Sequence, residues 1–300
     1  MCAVLNDCDI AGGLGASKLH AMLARSTTTR LIAPRVSLAS CIRACIVRST
    51  VGAELAPHER YNHFPATPTC TITWFVRGSA HRSSNGQPLP GPILFGGPHT
   101  IPTASCNPDE VEALMLILMP DALRAMTGID AGQHVNRLSA AHEVFDTDWL
   151  AMLRSVLEAA NDAERVKLVE DFIDPRWQAA RDGSWASARS YRDWTRSLSM
   201  RAAMSGLGRS VRQAERRIRA WCGLPLRTLH GLSRAELSFF GALGAHVQGR
   251  LNWADVASDA GYADQSHLCR ESRRITGFSP QELLRRVQED ESFWVYRVWR

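Results

Sequence analysis

Residues 255–280, DVASDAGYADQSHLCRESRRITGFSP, join a short apolar segment to a longer polar one through a glycine. The apolar segment starts at residue 253, and its small side chains Ala257 and Ala260 allow another helix to cross closely. Gly261 supplies the tight turn that often joins two such helices. The pattern therefore predicts a helix over residues 253–260, then a turn, then a second helix.

The second helix is predicted to begin after Asp264, whose carboxylate can accept hydrogen bonds from the free N–H groups of a first helical turn. Leu268 and Ile275, seven residues apart, mark its buried side. Ser279 and Pro280 start a further helix, because proline at the first helical position loses no hydrogen bond. Together these signals predict a helix-turn-helix, whose second helix presents its exposed face to the major groove of DNA.

The exposed face of this second helix carries side chains that can recognise bases. Glutamine and arginine bond in a bidentate manner to the edges of adenine and guanine, respectively. Arginines further along the helix lie nearer the phosphates, which they bind without regard to sequence. The predicted DNA contacts on this helix are Gln265, Ser266, His267, Arg270, Arg273 and Arg274.

The same pattern occurs a second time, 54 residues earlier in the chain. Residues 210–224, SVRQAERRIRAWCGL, align without gaps onto residues 264–278, so that Ser210 takes the N-cap position of Asp264. The glycines that end the two segments also coincide. Between the copies, residues 233–248 predict a single helix of about 16 residues, or about 24 Å, that holds the two copies apart.

The segments GYADQSHLCRESRRITGFSP and SVRQAERRIRAWCGL resemble the two helix-turn-helix signatures of the AraC-type transcription regulators. The resemblance covers about residues 195–290. It implies an all-helical module that places two recognition helices in successive major grooves of one duplex. Carried over position by position, it implies these DNA contacts in the first copy: Arg212, Gln213, Glu215, Arg216 and Arg219.

The chain departs from the family pattern at three positions. Ser272 stands where an aromatic core residue is usual. The segment expected to form the first helix of the first copy, residues 198–210, contains Gly206 and has Arg209 where an apolar residue is expected. We therefore expect the first copy to contribute more to backbone contact than to sequence reading.

Residues 31–119 predict mainly β-structure. Residues 69–78, TCTITWFVRG, are rich in β-branched and aromatic side chains, and residues 111–119, VEALMLILM, form a buried apolar run. Proline and glycine punctuate residues 87–102 between them. Several short strands at this spacing predict a small barrel or sandwich. In layout the region resembles the small, cupin-like β-barrel sensory domain of one branch of the same family.

Helical patterns begin at Pro120. One short helix ends at Gly128, and longer ones are predicted over residues 146–160 and 162–181, the latter interrupted by Pro175. The expected fold class is α+β, with an N-terminal small β-barrel and helices followed by an all-α double helix-turn-helix domain. The first expected region is a poorly ordered leader, residues 1–30. A β-barrel sensory or dimerisation domain with a helical connector follows over residues 31–185, and a DNA-binding domain over residues 190–300.

The distribution of charge supports a polyanion-binding C-terminal region. From residue 191 onward the chain has 18 arginines against 11 acidic residues, whereas residues 1–190 have 17 basic and 19 acidic residues. The positive net charge of the chain, +5 at pH 7, therefore arises in its C-terminal third. Such asymmetry indicates a nucleic-acid-binding module joined to a nearly neutral one.

The sequence offers little for catalysis or metal binding. His58 and His63 are expected on opposite faces of one strand, and Cys41 and Cys45 lack a second ligand pair, so no metal or other cofactor is predicted. The motifs G-x-S-x-G, H-E-x-x-H and a phosphate-binding glycine loop are absent. We therefore predict a protein that is not an enzyme. The cysteines of both helix-turn-helix copies, Cys222 and Cys269, are expected to pack rather than to react.

The partners follow from the family resemblance. It implies double-stranded promoter DNA and RNA polymerase, together with a small-molecule effector and a second copy of the chain. No apolar run of about 18 residues exists, so no membrane partner is predicted, and eight scattered cysteines favour the cytoplasm. The aromatic C-terminus, residues 290–300, is expected to pack against helices. Two alternatives stay open: a metal-dependent barrel enzyme with an accessory helical domain, and a non-specific, architectural DNA-binding protein.

Overall fold

The computed structural model describes residues 26–205 and 210–299. Most of the predicted leader, residues 1–25, lies outside the described residues, as do Gly206 and Arg209. The last residues of the predicted leader belong to a strand, Thr28–Ile32, which pairs antiparallel with Ile42–Ser49. Residues 28–30, at the end of the predicted leader, are thus hydrogen-bonded in an edge strand.

The N-terminal region is rich in strands, as the composition predicts. The strands are β1 Thr28–Ile32, β2 Ile42–Ser49, β3 Tyr61–Phe64, β4 Cys70–Arg77, β5 His81–Arg82, β6 Ile93–Gly96, β7 Thr103–Cys106, β8 Glu112–Leu118 and β9 Leu138–Ala140. Six of them form one antiparallel sheet in the order β1-β2-β8-β4-β6-β9, and three form a second sheet in the order β3-β7-β5. The region is thus built of two facing sheets rather than one closed barrel.

Side chains alternate across the larger sheet, as the geometry of a strand requires. On β4, Ile72 and Trp74 face the hydrophobic core and are fully buried. The indole N–H of Trp74 donates to the carbonyl oxygen of Leu153 at 2.9 Å, which ties the sheet to a helix. Thr73 and its cross-strand neighbour Met115 point the other way, towards the second sheet.

All the helices but the first follow the last strand in the described residues, and the first lies between β8 and β9. They are α1 Pro120–Thr127, α2 Thr147–Glu158, α3 Asp162–Ala180, α4 Tyr191–Met204, α5 Val211–Cys222, α6 Leu226–Val247, α7 Trp253–Asp259, α8 Gln265–Thr276, α9 Pro280–Glu289 and α10 Trp294–Arg297. The strand-rich N-terminal region and the helical C-terminal region confirm the predicted α+β class.

Three local predictions differ from the structure. Helix α3 runs through Pro175 without interruption, because Ile173 and Trp177 on either side of it are fully buried in the core. Helix α6 begins at Leu226 rather than at residue 233 and has 22 residues, about 33 Å. Helix α4 covers 191–204, whereas the sequence predicts the first helix of the first copy over 198–210.

A fourth difference concerns the histidines near residue 60. His58 lies in a short 3-10 helix, Pro57–Arg60, and only His63 belongs to strand β3. The prediction that both occupy one strand is wrong, because Pro57 begins a helical turn before the strand starts.

The helical region lies directly against the strand-rich region. The carboxylate of Asp121, a buried group on α1, accepts a hydrogen bond from the indole N–H of Trp194 at 3.0 Å and pairs with Arg201 on α4. A second buried ion pair joins Arg43 on β2 to Glu236 on α6. The hydrophobic core is continuous across this contact, so the position of the helical region is fixed by packing as well as by charge.

Candidate nucleic-acid interface

The second helix-turn-helix has the geometry that its sequence predicts. Val256, Ala257 and Ala260 of the first helix and turn are buried, and Gly261 adopts a φ of 77° that favours glycine. The Asp264 carboxylate accepts a hydrogen bond from the backbone N–H of His267 at 2.6 Å, as an N-cap does. The buried alanines, the turn glycine and the N-cap predicted for this motif are confirmed.

Helix α8 divides into a buried and an exposed face. Leu268 and Ile275 are buried, and Ser272, which replaces the usual aromatic residue, donates to the carbonyl oxygen of Phe278 at 2.8 Å. The half-buried Phe278 packs against Phe293, with ring centres 5.1 Å apart. The exposed residues are Gln265, Ser266, Arg270, Arg273 and Arg274, and His267 is half-buried against Tyr262.

Arg274 differs from the other predicted contacts on α8. Its guanidinium donates to both carboxylate oxygens of Glu271, at 3.1 and 2.8 Å. The ion pair lowers the pKa of Glu271 and raises that of Arg274, in each case chiefly through these hydrogen bonds. A Cβ at Gly231 of α6 would lie 3.2 Å from the same guanidinium. Arg274 is therefore placed to join α8 to α6, and its predicted phosphate contact stays a prediction.

The first copy repeats the same construction. Ser210 caps α5 by accepting from the backbone N–H of Gln213 at 3.4 Å, and Gly223 ends it with a φ of 79°. Ile218 and Cys222 are buried, and Gln213 is half-buried with its side-chain oxygen unpartnered. The predicted contacts Arg212, Glu215, Arg216 and Arg219 are exposed.

Five exposed arginines of the two helices differ from Arg274 in their electrostatics. Within residues 26–205 and 210–299, none of the five forms an ion pair with a carboxylate, so their charge is available to a polyanion. They are Arg212, Arg216, Arg219, Arg270 and Arg273. No observation tests which of them touch DNA, so their assigned contacts stay predictions.

Both recognition helices contact the strand-rich region at their C-terminal ends. Gly223 lies against Ala131 and Gly132, where a Cβ would come within 2.8 Å of backbone atoms. On α8, the carbonyl oxygen of Ile275 accepts a hydrogen bond from the backbone N–H of Ala66 at 2.8 Å. Equivalent ends of the two helices thus contact the same neighbouring region, while residues 211–212 and 265–266 at their N-terminal ends are exposed.

The C-terminal aromatic segment is buried against helices, as predicted, and also against the strand-rich region. Phe293, Trp294 and Tyr296 are each at most 5% exposed. The Trp294 indole N–H donates to the side-chain oxygen of Asn62 at 2.7 Å. Nearby, Arg48 of β2 pairs with Glu291 at 2.7 Å.

Sequence reasoning missed these connections between the two regions. Asp121 and Arg201 lie 80 positions apart in the chain, and Arg43 and Glu236 lie 193 apart, with no local pattern that joins them. Only the density of charged residues inside apolar segments could have marked them as candidates for buried pairs.

Three further observations concern metal ligands, membrane spans and cysteines. In the portion of the chain that the structure describes, no three His, Cys, Asp or Glu side chains cluster so as to hold a metal ion. None of the described helices has both the length and the apolar character needed to cross a membrane. The cysteines of the described ranges are free thiols, and burial raises the pKa of Cys222 to about 12, which leaves it protonated at neutral pH.

This geometry defines a helix-turn-helix DNA-binding protein. Residues 244–285, which contain α7 and α8, match the model of the bacterial regulatory helix-turn-helix proteins of the AraC family. These residues are therefore similar to the helix-turn-helix of that family, which supports a DNA-binding transcription regulator. No curated protein matches the chain significantly.

Several solved structures overlap the chain at low identity. ToxT of Vibrio cholerae O395 is 10% identical with a TM-score of 0.34, over 88% of this chain and 98% of ToxT. ToxT of strain SCE256 bound to an unsaturated fatty acid is 11% identical with a TM-score of 0.34, over 75% and 94%. The AraC-like transcriptional activator CuxR is 9% identical with a TM-score of 0.26, over 91% and 99%. Superpositions this loose support no conclusion about this chain.

Proposed function

We propose that this protein is a sequence-specific transcription regulator that reads promoter DNA with two recognition helices, α5 and α8, under the control of its strand-rich region. The domain limits 31–185 and 190–300 belong to this proposal. So do RNA polymerase and a second copy of the chain as partners. The proposal gives the protein no catalytic role and no cofactor.

The observation that carries the proposal is the equivalence of α5 and α8. Each begins with a capping side chain, buries an apolar stripe and ends with a glycine in the left-handed conformation. Each presents arginines that no carboxylate neutralises among the described residues. A single basic helix is often only a solvated surface, whereas two equivalent ones in one chain are what the reading of two successive major grooves requires.

The two kinds of exposed side chain have different roles in this mechanism. Arginines near phosphates release counterions from the duplex and supply affinity that falls with salt. Side chains such as Gln265 in the first turn of α8 and Arg270 in its second turn reach base edges and supply specificity. The free N–H groups at each N-terminus add a partial positive charge that favours nearby phosphates.

The test is selection of binding sites from random duplexes by the full-length protein, followed by competition binding and footprinting. We expect at least about 10³-fold preference for selected over random duplexes, and two protected segments about one helical turn apart. For variants that remove an arginine of α8, such as Arg270→Ala, the control for net charge is Arg154→Ala, which removes an exposed arginine of α2. A preference near one would favour the non-specific architectural protein instead.

A further inference from the structure

Helix α6, which joins the two helix-turn-helix copies, carries three basic residues on one side. Arg227 and His230 are exposed, and Arg234 is half-buried. With about 3.6 residues per turn, these three positions lie within about 60° of one another around the helix axis. Arg234 comes two turns after Arg227, so the set extends over about 10 Å along the axis. We call these three residues the basic stripe of α6.

The basic stripe faces away from the strand-rich region. On the far side of α6, about 150° from the stripe, Glu236 pairs with Arg43 of β2. About 90° to one side of the stripe, the hydroxyl oxygens of Ser233 and of Thr195 on α4 lie 3.4 Å apart. About 70° to the other side, a Cβ at Gly231 would lie 3.2 Å from a guanidinium of α8. The basic stripe therefore lies in the gap between α4 and α8.

The arginines of the stripe carry charge that no carboxylate of the described residues neutralises. Within residues 26–205 and 210–299, neither Arg227 nor Arg234 forms an ion pair or a side-chain hydrogen bond. Glu271 of α8 lies on this side of α6, but Arg274 already binds both of its carboxylate oxygens. The stripe can therefore bind an anion without first breaking an ion pair.

Arg234 is held with its charge outward. Its Nε is buried without a partner, whereas its two terminal nitrogens reach solvent. Its guanidinium carbon lies 5.5 Å from the centre of the Tyr262 ring, and its Cδ would lie 3.9 Å from a Cβ at Gly261. Both of these residues belong to the turn of the second helix-turn-helix, so this turn fixes the direction of the side chain. A side chain that is already held in place loses less conformational entropy when it binds.

A duplex bound by both recognition helices would place phosphates opposite the stripe. Two helices in successive major grooves have one stretch of minor groove between them, and both phosphate backbones border that stretch. Because α6 joins the two copies and its stripe lies between α4 and α8, the stripe would face this part of the duplex. Arginine binds phosphate without regard to the adjacent base, and the imidazole of His230 can add a further N–H donor.

We propose that the basic stripe of α6 binds phosphates of the duplex between the two grooves read by α5 and α8. Helix α6 is then a third DNA contact as well as the spacer between the recognition helices. It supplies affinity that does not depend on sequence, because phosphates carry no base information. The inference rests on the proposed function, since it requires both recognition helices to lie on one duplex.

The first test measures how the affinity of the full-length protein for its selected duplex depends on salt. Each phosphate contact contributes about 0.9 to the slope of log affinity against log salt concentration. We expect Arg227→Ala to lower this slope by about 0.9, and Arg227→Ala combined with Arg234→Gln to lower it by about 1.8. Arg154→Ala, which removes an exposed arginine of α2, should leave the slope unchanged. An unchanged slope in the folded double variant would overturn the proposal.

A further variant separates the charge of Arg234 from its packing on Tyr262. Arg234→Lys keeps the charge but not the planar guanidinium, so it should keep the salt slope of the wild-type protein. A slope as low as that of Arg234→Gln would show that packing matters rather than charge, and would overturn the phosphate contact of Arg234. Thermal unfolding checks that each variant is folded. Arg227→Ala changes an exposed side chain and carries the test alone if Arg234→Gln does not fold.

The second test locates the contact on the duplex with methylphosphonates, which remove the charge of single phosphates. Placed between the two footprinted segments, they should weaken binding of the wild-type protein at least about threefold and that of the double variant less than about twofold. No weakening of the wild-type protein, or equal weakening of both proteins, would place those phosphates away from the stripe and overturn the proposal.

The preference for selected over random duplexes distinguishes phosphate binding from base reading. This ratio should stay within about twofold of the wild-type value in every stripe variant, because phosphates carry no sequence information. A larger fall in the ratio would assign the stripe to base reading and overturn the proposal. Failure of the wild-type protein to select a duplex removes the proposed function and this inference with it. If the wild-type protein selects a duplex but the stripe variants behave like it, only this inference is removed.

Discussion

Gly223→Ala probes the contact between the first recognition helix and the strand-rich region. Gly223 ends α5 with a φ of 79°, and its backbone N–H donates to the carbonyl oxygen of Arg219 at 2.8 Å. A Cβ there would lie 2.7 Å from the backbone nitrogen of Gly132 and 2.8 Å from the carbonyl carbon of Ala131. Both are backbone atoms, so neither can rotate away.

Two costs add in this variant. Placing alanine in the left-handed conformation costs about 1 kcal/mol. Forcing extra volume into a close backbone contact costs a further 1–3 kcal/mol or so. We therefore expect Gly223→Ala to lower the free energy of unfolding by about 2–4 kcal/mol. The alternative response is that the contact opens and the two regions separate without unfolding.

Two glycines serve as matched controls. Gly128 ends α1 with a φ of 75° and a Cβ there would meet nothing within 4 Å. Gly277 ends α8 with a φ of 86°, and the nearest atom to its Cβ would be Pro102 Cγ at 3.8 Å. Alanine at either position adds the conformational cost without the steric one, so each is expected to lose only about 1 kcal/mol.

Urea unfolding with a common slope measures the three losses. Limited proteolysis of the connector, residues 181–190, reports separation of the two regions, since these residues form neither helix nor strand. Gly223→Ala should either exceed both controls by at least about 1 kcal/mol or increase cleavage of the connector. If it matches Gly128→Ala in both assays, residues 131–132 do not hold α5, and our account of the contact is wrong.

Four further outcomes are expected. Arg270→Ala should lose about 1–3 kcal/mol of discrimination at particular base pairs, and an equal loss on every duplex would contradict base reading. Arg273→Ala should weaken all duplexes alike and lower the salt slope by about one, whereas an unchanged slope removes it from the phosphates. Asp264→Ala should destabilise the fold by about 0.5–2 kcal/mol in urea unfolding, through loss of the cap on α8. Burial lowers the pKa of His99 below its ordinary value of 6.5. The unfolded chain therefore binds more protons, and the free energy of unfolding falls as pH falls below about 6.5. His99→Gln should lessen that loss of stability between about pH 7.5 and 5, and an unchanged pH profile would contradict this.

The helices of the DNA-binding region are predictable because their ends carry local chemistry. Asp264 and Gly277 define α8 without reference to the rest of the molecule, and Ser210 and Gly223 do the same for α5. Where packing competes with local preference, packing prevails. Pro175 lies within α3 because the burial of its neighbours outweighs the roughly 3 kcal/mol that an internal proline costs.

The candidate site is only partly predictable for a similar reason. The exposure of Arg216 and Arg270 follows from helical periodicity, which requires no tertiary information. The pairing of Arg274 with Glu271, three residues before it, is within reach of the same reasoning. The cavity between the two sheets cannot be predicted in this way. It depends on which two sheets face each other, and the strands that form them come from distant segments of the chain.

The contacts of α8 constrain how any ligand of the strand-rich region could regulate DNA binding. The hydrogen bond from Ala66 to Ile275 and the packing of Pro102 beside Gly277 hold the C-terminal end of the helix, whereas Gln265 lies in its first turn. A ligand that binds the free protein and the DNA complex equally well cannot change the affinity for DNA. To change it, the ligand must favour one of the two arrangements of these contacts. By reciprocity, a ligand that weakens DNA binding by some factor must itself bind the DNA complex more weakly by the same factor. Regulation by a ligand bound between the two sheets therefore requires that DNA alter the protein's affinity for that ligand. This holds even though the exposed face of α8 would not touch the ligand.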